Sequence, residues 1–187
     1  MSQCEDIFRA KNEEYGATWI VYRWGSLTDQ LWMKIKRIRT IEESGAKIPD
    51  PVSIEYKALI NYAIAFLIRL KNTDIITPPE KILDDIENIY SYSEEQILRL
   101  YKKEADEAFQ LYRLKNHDYN NAWQDMSMQS ITDLVIVKVL RMKNILKQSD
   151  ISADIQNKIY KELDSQLFDI INYSIFALII DKNRGGL

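Results

Sequence analysis

One cysteine and one histidine are all that the 187 residues supply of those two types. Cys4 has no partner for an internal disulfide, and with His117 alone the chain lacks a Cys/His cluster to ligate a metal. Glycine and proline are scarce, at five and four. That scarcity argues against a loop-rich or all-β protein, and the long stretches of Leu, Ile, Lys, Glu and Ala favour helices. There is no Gly-rich phosphate loop, no Gly-x-Ser-x-Gly elbow and no dinucleotide-binding fingerprint. Any phosphate chemistry must therefore use side chains on helices. Charge of one sign is also in short supply: a formal net charge of -3 gives no general basic field. Non-specific binding to duplex DNA is not expected, although a local basic pocket for a small anion is still allowed. The opening Met1-Ser2-Gln3-Cys4-Glu5-Asp6 has neither the basic nor the apolar region of a signal peptide. The longest apolar runs, 58–68 and 170–180, fall short of the roughly 20 residues that span a bilayer. These absences lead to the expectation of a soluble, cytoplasmic protein that does not engage a membrane, with its oligomeric state left open.

What the chain does have is itself, twice. Lys11-Asn12-Glu13-Glu14-Tyr15-Gly16-Ala17-Thr18-Trp19 recurs as Lys115-Asn116-His117-Asp118-Tyr119-Asn120-Asn121-Ala122-Trp123, 104 positions on. The same offset carries Ser26-Leu27-Thr28-Asp29 onto Ser130-Ile131-Thr132-Asp133, Lys34 onto Lys138 and Arg37 onto Arg141. Further along, Asn61-Tyr62-Ala63 recurs as Asn172-Tyr173-Ser174, 111 positions on. The boundaries this sets are a single domain over 1–187, with repeat one at 1–71, a linker at 72–93 and repeat two at 94–187.

The punctuation turns each unit into three helices. Gly16 and its counterpart Asn120 tolerate the left-handed conformation that ends a first helix. Ser26-x-x-Asp29 and Ser130-x-x-Asp133 have the pattern of capping boxes opening a second helix, which Gly45 closes in repeat one. Third helices are expected over about 53–71 and 152–181. Thr77-Pro78-Pro79 marks a turn into a linker helix, and Ser93-x-x-Gln96 opens the long helix of repeat two. The expected fold is all-α: a helical bundle of two tandem three-helix repeats with pseudo-two-fold symmetry and a linker helix.

Candidate site residues are those whose chemistry conflicts with their position. At about 100° per residue, Lys34 falls within the stripe of Leu27, Leu31, Ile35, Ile38 and Ile41, and Lys138 lies equally among Ile131, Val135, Val139, Met142 and Ile145. A buried lysine requires a carboxylate or a bound phosphate unless it snorkels to water, and all three outcomes stand at this point. Arg37 and Arg141 follow at i+3. Asn61 and Asn172 lie on apolar faces, where an amide needs partners; an interhelical hydrogen bond and a ligand contact are the two readings. Asp169 shares the inward side with Asn172, whereas repeat one has Ala58 there, and Glu55 faces Gln166 in the same comparison. Asp29 and Asp133 read as capping residues or metal ligands. Lys11 and Lys115 stand four residues before Tyr15 and Tyr119 and read as a solvated face or as ligand contacts. The aromatic residues Tyr15, Tyr119, Trp19 and Trp123 read as core plugs or as a platform for a base. His117 matches Glu13, so no histidine mechanism is common to both units.

The motif Lys-Asn-x-x-Tyr-Gly-x-x-Trp, then Ser-Leu-Thr-Asp-x-x-x-x-Lys-x-x-Arg, then Asn-Tyr-Ala, resembles the first type of nucleotide modification associated domain, in its duplicated bacterial form. The resemblance covers residues 11–19, 26–37 and 61–63 and their repeats at 115–123, 130–141 and 172–174. It implies a fold similar to the all-α nucleotide pyrophosphohydrolases of the MazG type, which hold Mg²⁺ on helix-borne Glu-x-x-Glu and Glu-x-x-Asp pairs. This sequence departs from that pattern. Neither second helix has Glu-x-x-Glu, and the third-helix pair survives as Glu55-x-x-Ala58 in one repeat and Gln166-x-x-Asp169 in the other.

Two functional readings follow. In the first, the chain hydrolyses a nucleoside, modified-nucleotide or pterin triphosphate with Mg²⁺. Asp169 and Glu55 are then catalytic, Asp169, Asp29 and Asp133 hold metal, and the substrate lies against Lys34, Arg37, Lys138, Arg141, Lys11, Lys115, Tyr15, Tyr119, Trp19, Trp123, Asn61 and Asn172. In the second, the chain is a non-catalytic nucleotide-binding or assembly module whose lysines neutralise core carboxylates. The partner in the binding reading is a nucleotide or phosphorylated small molecule.

Overall fold

A computed structural model describes residues 2–73, 75, 76, 82, 91–118, 120–147 and 153–183, with the side chains of 153–157 excepted. Thr77, Pro78, Pro79, most of the expected linker helix and Tyr119 lie outside these. The described residues form six helices and no strand: α1 (Ser2–Tyr15), α2 (Trp24–Ser44), α3 (Val52–Lys71), α4 (Glu94–Asp118), α5 (Met128–Leu146) and α6 (Ala153–Asn183). Short 3-10 turns, Thr18–Val21 and Ala122–Asp125, follow α1 and α4.

The expected stops are where the backbone turns left-handed. Gly16 has φ 66°, Gly45 has φ 74°, and Asn120 and Asn121, in the place of Gly16, have φ 47° and 60°. Ser93 and Gln96 cap α4 reciprocally: the Ser93 N–H donates to Gln96 Oε1 at 3.0 Å and the Gln96 N–H to Ser93 Oγ at 3.2 Å.

The other two capping boxes are not as expected. α2 starts at Trp24 on an extended Arg23 with no side-chain cap, and α5 starts at Met128 on Ser127. Ser127 Oγ accepts the Ser130 N–H at 3.0 Å, so Ser130 is the capped residue and not the cap. Asp29 and Asp133 therefore lie beyond the first turn. α6 runs unbroken from Ala153 to Asn183.

α2, α3, α5 and α6 make the central bundle. α2 packs on α5 and α3 on α6 across the repeats, while α2–α3 and α5–α6 pack within them. The stripes meet there: Leu27, Leu31, Ile35 and Ile38 on α2 and Ile131, Val135, Val139 and Met142 on α5 are all fully buried. Each such side chain contributes about 1.5–3 kcal/mol. Ile35→Ala would therefore cost about 2–5 kcal/mol, including the cavity it leaves.

The repeats also exchange ion pairs. Arg39 pairs with Asp133, and Lys143 Nζ lies 2.7 Å from Asp29 Oδ1. Arg39 matches Lys143 and Asp29 matches Asp133 at the 104-residue offset, which is the reciprocity an approximate two-fold axis demands. α6 carries one further correction. Its stretch Lys158–Asn183 is long and apolar enough to cross a membrane by length and composition, a property missed when only uninterrupted apolar runs are counted; 67% of its 18-residue apolar segment is buried inside the protein.

Candidate functional site

The duplication produces two pockets at equivalent places, each between the end of a first helix, the 3-10 turn and the third helix. The repeat-two pocket, about 560 Å³, has Lys115, Trp123, Asp169, Asn172, Tyr173 and Phe176 among its walls. The repeat-one pocket, about 490 Å³, presents Lys11, Trp19, Ala58, Asn61, Tyr62 and Ala65 at the matching positions.

The same clip builds both. Asn12 Oδ1 accepts the Trp19 indole N–H at 2.9 Å, and Asn116 Oδ1 accepts that of Trp123 at 2.6 Å. The asparagine sits on the last turns of the helix and the tryptophan seven residues on, so the bond holds the aromatic wall against the helix that carries the lysine. In repeat two the wall is doubled: Trp123 and Phe176 stack with centroids 4.5 Å apart and planes 6° apart.

Asp169 is the charged centre of the repeat-two pocket. Its Oδ2 lies 2.8 Å from Lys138 Nζ and its Oδ1 2.5 Å from Lys115 Nζ. Burial acts to raise the pKa of this carboxyl, but the hydrogen bonds and charges of the two lysines outweigh it and hold the group below its ordinary range. Lys138 is thus an inward lysine with a carboxylate partner, and Lys34 is its equivalent: Lys34 Nζ lies 3.3 Å from Glu55 Oε2, and Glu55 also pairs with Arg37. The acid has moved by one turn between the repeats, from position 55 in the first to the equivalent of 58 in the second.

Asn172 is 2% exposed, and neither its Nδ2 nor its Oδ1 has a hydrogen-bond partner. Asn61 is different: its Nδ2 donates to the Cys4 carbonyl at 3.0 Å and its Oδ1 accepts from the Tyr101 hydroxyl at 2.8 Å.

Several candidates are not brought together. Asp29 and Asp133 lie on the exterior with side chains 65% and 59% exposed, each engaged in its cross-repeat ion pair. Among the described residues no group of three or more His, Cys, Asp or Glu is placed to hold a metal ion. Three carboxylates do converge elsewhere, Glu104, Glu107 and Asp164, but the ammonium of Lys71 sits at their centre, 3.1, 3.0 and 3.0 Å away. Arg141 is exposed and lines neither pocket, and its counterpart Arg37 lines neither of the two. Arg37 is occupied by Glu55 and Asp50. Lys11 reaches outward to Glu14 at 3.1 Å and over the exposed ring of Tyr15 at 5.0 Å. Tyr119 lies outside the described residues.

Asn12, Asn116, Tyr62, Tyr173, Phe176 and Lys57 also belong to the pockets and were not among the candidates. The asparagines and tyrosines repeat within the motifs themselves; Phe176 and Lys57 are each present in one repeat only, so the duplication gave no signal for them.

The family model described as Nucleotide modification associated domain 1 matches residues 11–70 and again residues 115–180. No curated protein and no solved structure matches the chain.

Proposed function

The chain belongs to the family of nucleotide modification associated domain 1, and from that premise we propose that its second repeat binds a nucleotide or nucleotide-like phosphorylated small molecule without hydrolysing it. The observation that carries the reading is Asn172. A buried amide with no partner costs about 1–3 kcal/mol, and this one lines a cavity whose other walls are Trp123, Tyr173 and Phe176. An amide presents a donor beside an acceptor, the pairing that the edge of a nucleobase complements, and the aromatic walls suit its apolar faces. Lys115, 41% exposed at the mouth of the pocket, is the group placed to meet a phosphate.

Mg²⁺ does not fit this pocket. Its one wall carboxylate, Asp169, is already engaged through both oxygens by two ammonium groups, so a divalent ion would have to displace both lysines and would find no second acid beside it. The donor set favours binding over metal-assisted hydrolysis.

The test is isothermal titration with a panel of nucleosides and their mono- and triphosphates, with and without Mg²⁺, alongside phosphate-release assays. Binding that does not depend on Mg²⁺, that is lost in Asn172→Leu and that releases no phosphate supports the reading. Mg²⁺-dependent phosphate or pyrophosphate release that Asp169→Asn abolishes would replace it with the hydrolase reading.

A further inference from the structure

The two pockets share a frame and differ in charge. Lys11, Lys34 and Lys57 line the repeat-one pocket, and no carboxylate does. Two of these lysines have acids behind the wall: Lys11 has the exposed Glu14, and Lys34 has Glu55, which it shares with Arg37. Lys57, half-buried, has no ion pair among the described residues. Its position corresponds to Phe168 in repeat two, just as Ala58 corresponds to Asp169. The duplication has therefore placed an extra cation in one pocket and a carboxylate in the other. Asn61, the residue equivalent to the open amide of repeat two, has both ends of its own amide bonded, and the indole N–H of Trp19 is taken by Asn12. The repeat-one pocket has ammonium donors to offer and no free amide with which to read a ring.

We propose that this pocket is a second, separate binding site, for a small polyphosphate anion: pyrophosphate, or the phosphoryl tail of a nucleotide. Three lysines line a cavity of about 490 Å³, and one of them, Lys57, has no ion pair among the described residues, a set that suits the negative charge of linked phosphates. The repeat-two pocket, where Asp169 already engages Lys115 and Lys138, is a poorer match for such a ligand unless it brings a ring for Asn172 and the aromatic residues. The two sites use different residues, so this proposal and the nucleotide reading of repeat two can fail separately.

The experiment is a titration of the full chain with sodium pyrophosphate at low ionic strength, followed calorimetrically. The expected result is one equivalent bound, with affinity falling steeply as salt is added. Lys57→Met should weaken it by about tenfold, the effect of losing one charged contact of about 1.4 kcal/mol. Ala58→Asp, which restores the carboxylate of repeat two, should weaken it at least as far, and Asn172→Leu should leave it unchanged. Circular dichroism verifies that each variant is folded, and Lys57→Met carries the test alone if Ala58→Asp is not. A nucleoside triphosphate that displaces pyrophosphate, and is itself weakened by Lys57→Met, identifies the nucleotide tail as the ligand; one that does not displace it identifies the free anion. No binding by the unmodified chain at millimolar pyrophosphate, or equal affinity in Lys57→Met, overturns the proposal.

Discussion

Asn61 and Asn172 hold the same position in the two repeats, yet the first has both ends of its amide bonded, to the Cys4 carbonyl and the Tyr101 hydroxyl, and the second has neither. One residue type thus serves a structural purpose in one half of the molecule and is buried without a hydrogen-bond partner in the other. Substitution separates the two. Asn61→Leu should destabilise the fold by about 2–4 kcal/mol, because two bonds go and the Tyr101 hydroxyl and Cys4 carbonyl lose their partner. Asn172→Leu should leave stability unchanged or raise it, since an unpartnered buried amide is removed. Urea denaturation of both variants reads the difference.

Asp169 links stability to pH. Its folded-state pKa lies below its unfolded value, so its pairing with Lys115 and Lys138 stabilises the protein above about pH 4, and that contribution is lost as pH falls through the folded value. Asp169→Asn should cost about 1–3 kcal/mol at neutral pH. This is less than for a sealed ion pair, because Lys115 is 41% exposed and water screens its charge. The variant should also lose part of the acid-side decline in stability, which denaturation curves collected between about pH 3 and pH 7 would display.

The Lys71 cluster has the opposite pH dependence. Burial raises the carboxyl pKa of Glu104 and of Asp164 against the pull of Lys71. Acids raised in the folded state lower stability as pH climbs from their unfolded values through their folded ones. Glu104→Gln should therefore be tolerated at neutral pH, since Lys71 keeps Glu107 and Asp164, and it should flatten the loss of stability as pH rises above the ordinary glutamate range. Lys71→Met, which leaves Glu104, at 0% side-chain exposure, with only the more distant Lys103 at 3.9 Å, should cost about 3–5 kcal/mol at neutral pH and recover part of that in acid. The same denaturation series on both variants decides.

The reciprocal pairs Arg39–Asp133 and Lys143–Asp29 fasten the two repeats at their exposed edge. A double-mutant cycle on each should give about 0.2–1 kcal/mol, reduced by salt, and the two cycles should add. Asp29→Asn and Asp133→Asn should leave any response to Mg²⁺ unaltered; a changed response would return these residues to the list of metal ligands.

The helices were legible because their punctuation is local. Gly16, Asn120, Gly45 and the Ser93–Gln96 pair each fix one end through their own backbone or side chain. The starts of α2 and α5 were less so, because Ser26 and Ser130 carry a capping pattern while the cap position falls three residues earlier, on Arg23 and Ser127. Of the site, the inward lysines were legible as polar residues on apolar stripes. Their partners stayed open between a carboxylate, a phosphate and water, and the structure pairs Lys138 with Asp169 and Lys34 with Glu55. The cross-repeat roles of Asp29 and Asp133, the position of Arg37 and Arg141 outside the two pockets and the contrast between the two asparagines depend on which helices meet. No spacing along the chain records that.

The most direct test of the second-repeat site follows side-chain amide and indole N–H resonances of the ¹⁵N-labelled chain during titration with the panel of nucleotides. The account predicts large shifts at the Asn172 amide and the Trp123 indole on adding a nucleotide or nucleoside, with the Asn61 amide undisturbed. An Asn172 amide that stays in place at saturating concentrations of every nucleotide, or shifts centred on Asn61 alone, would contradict it.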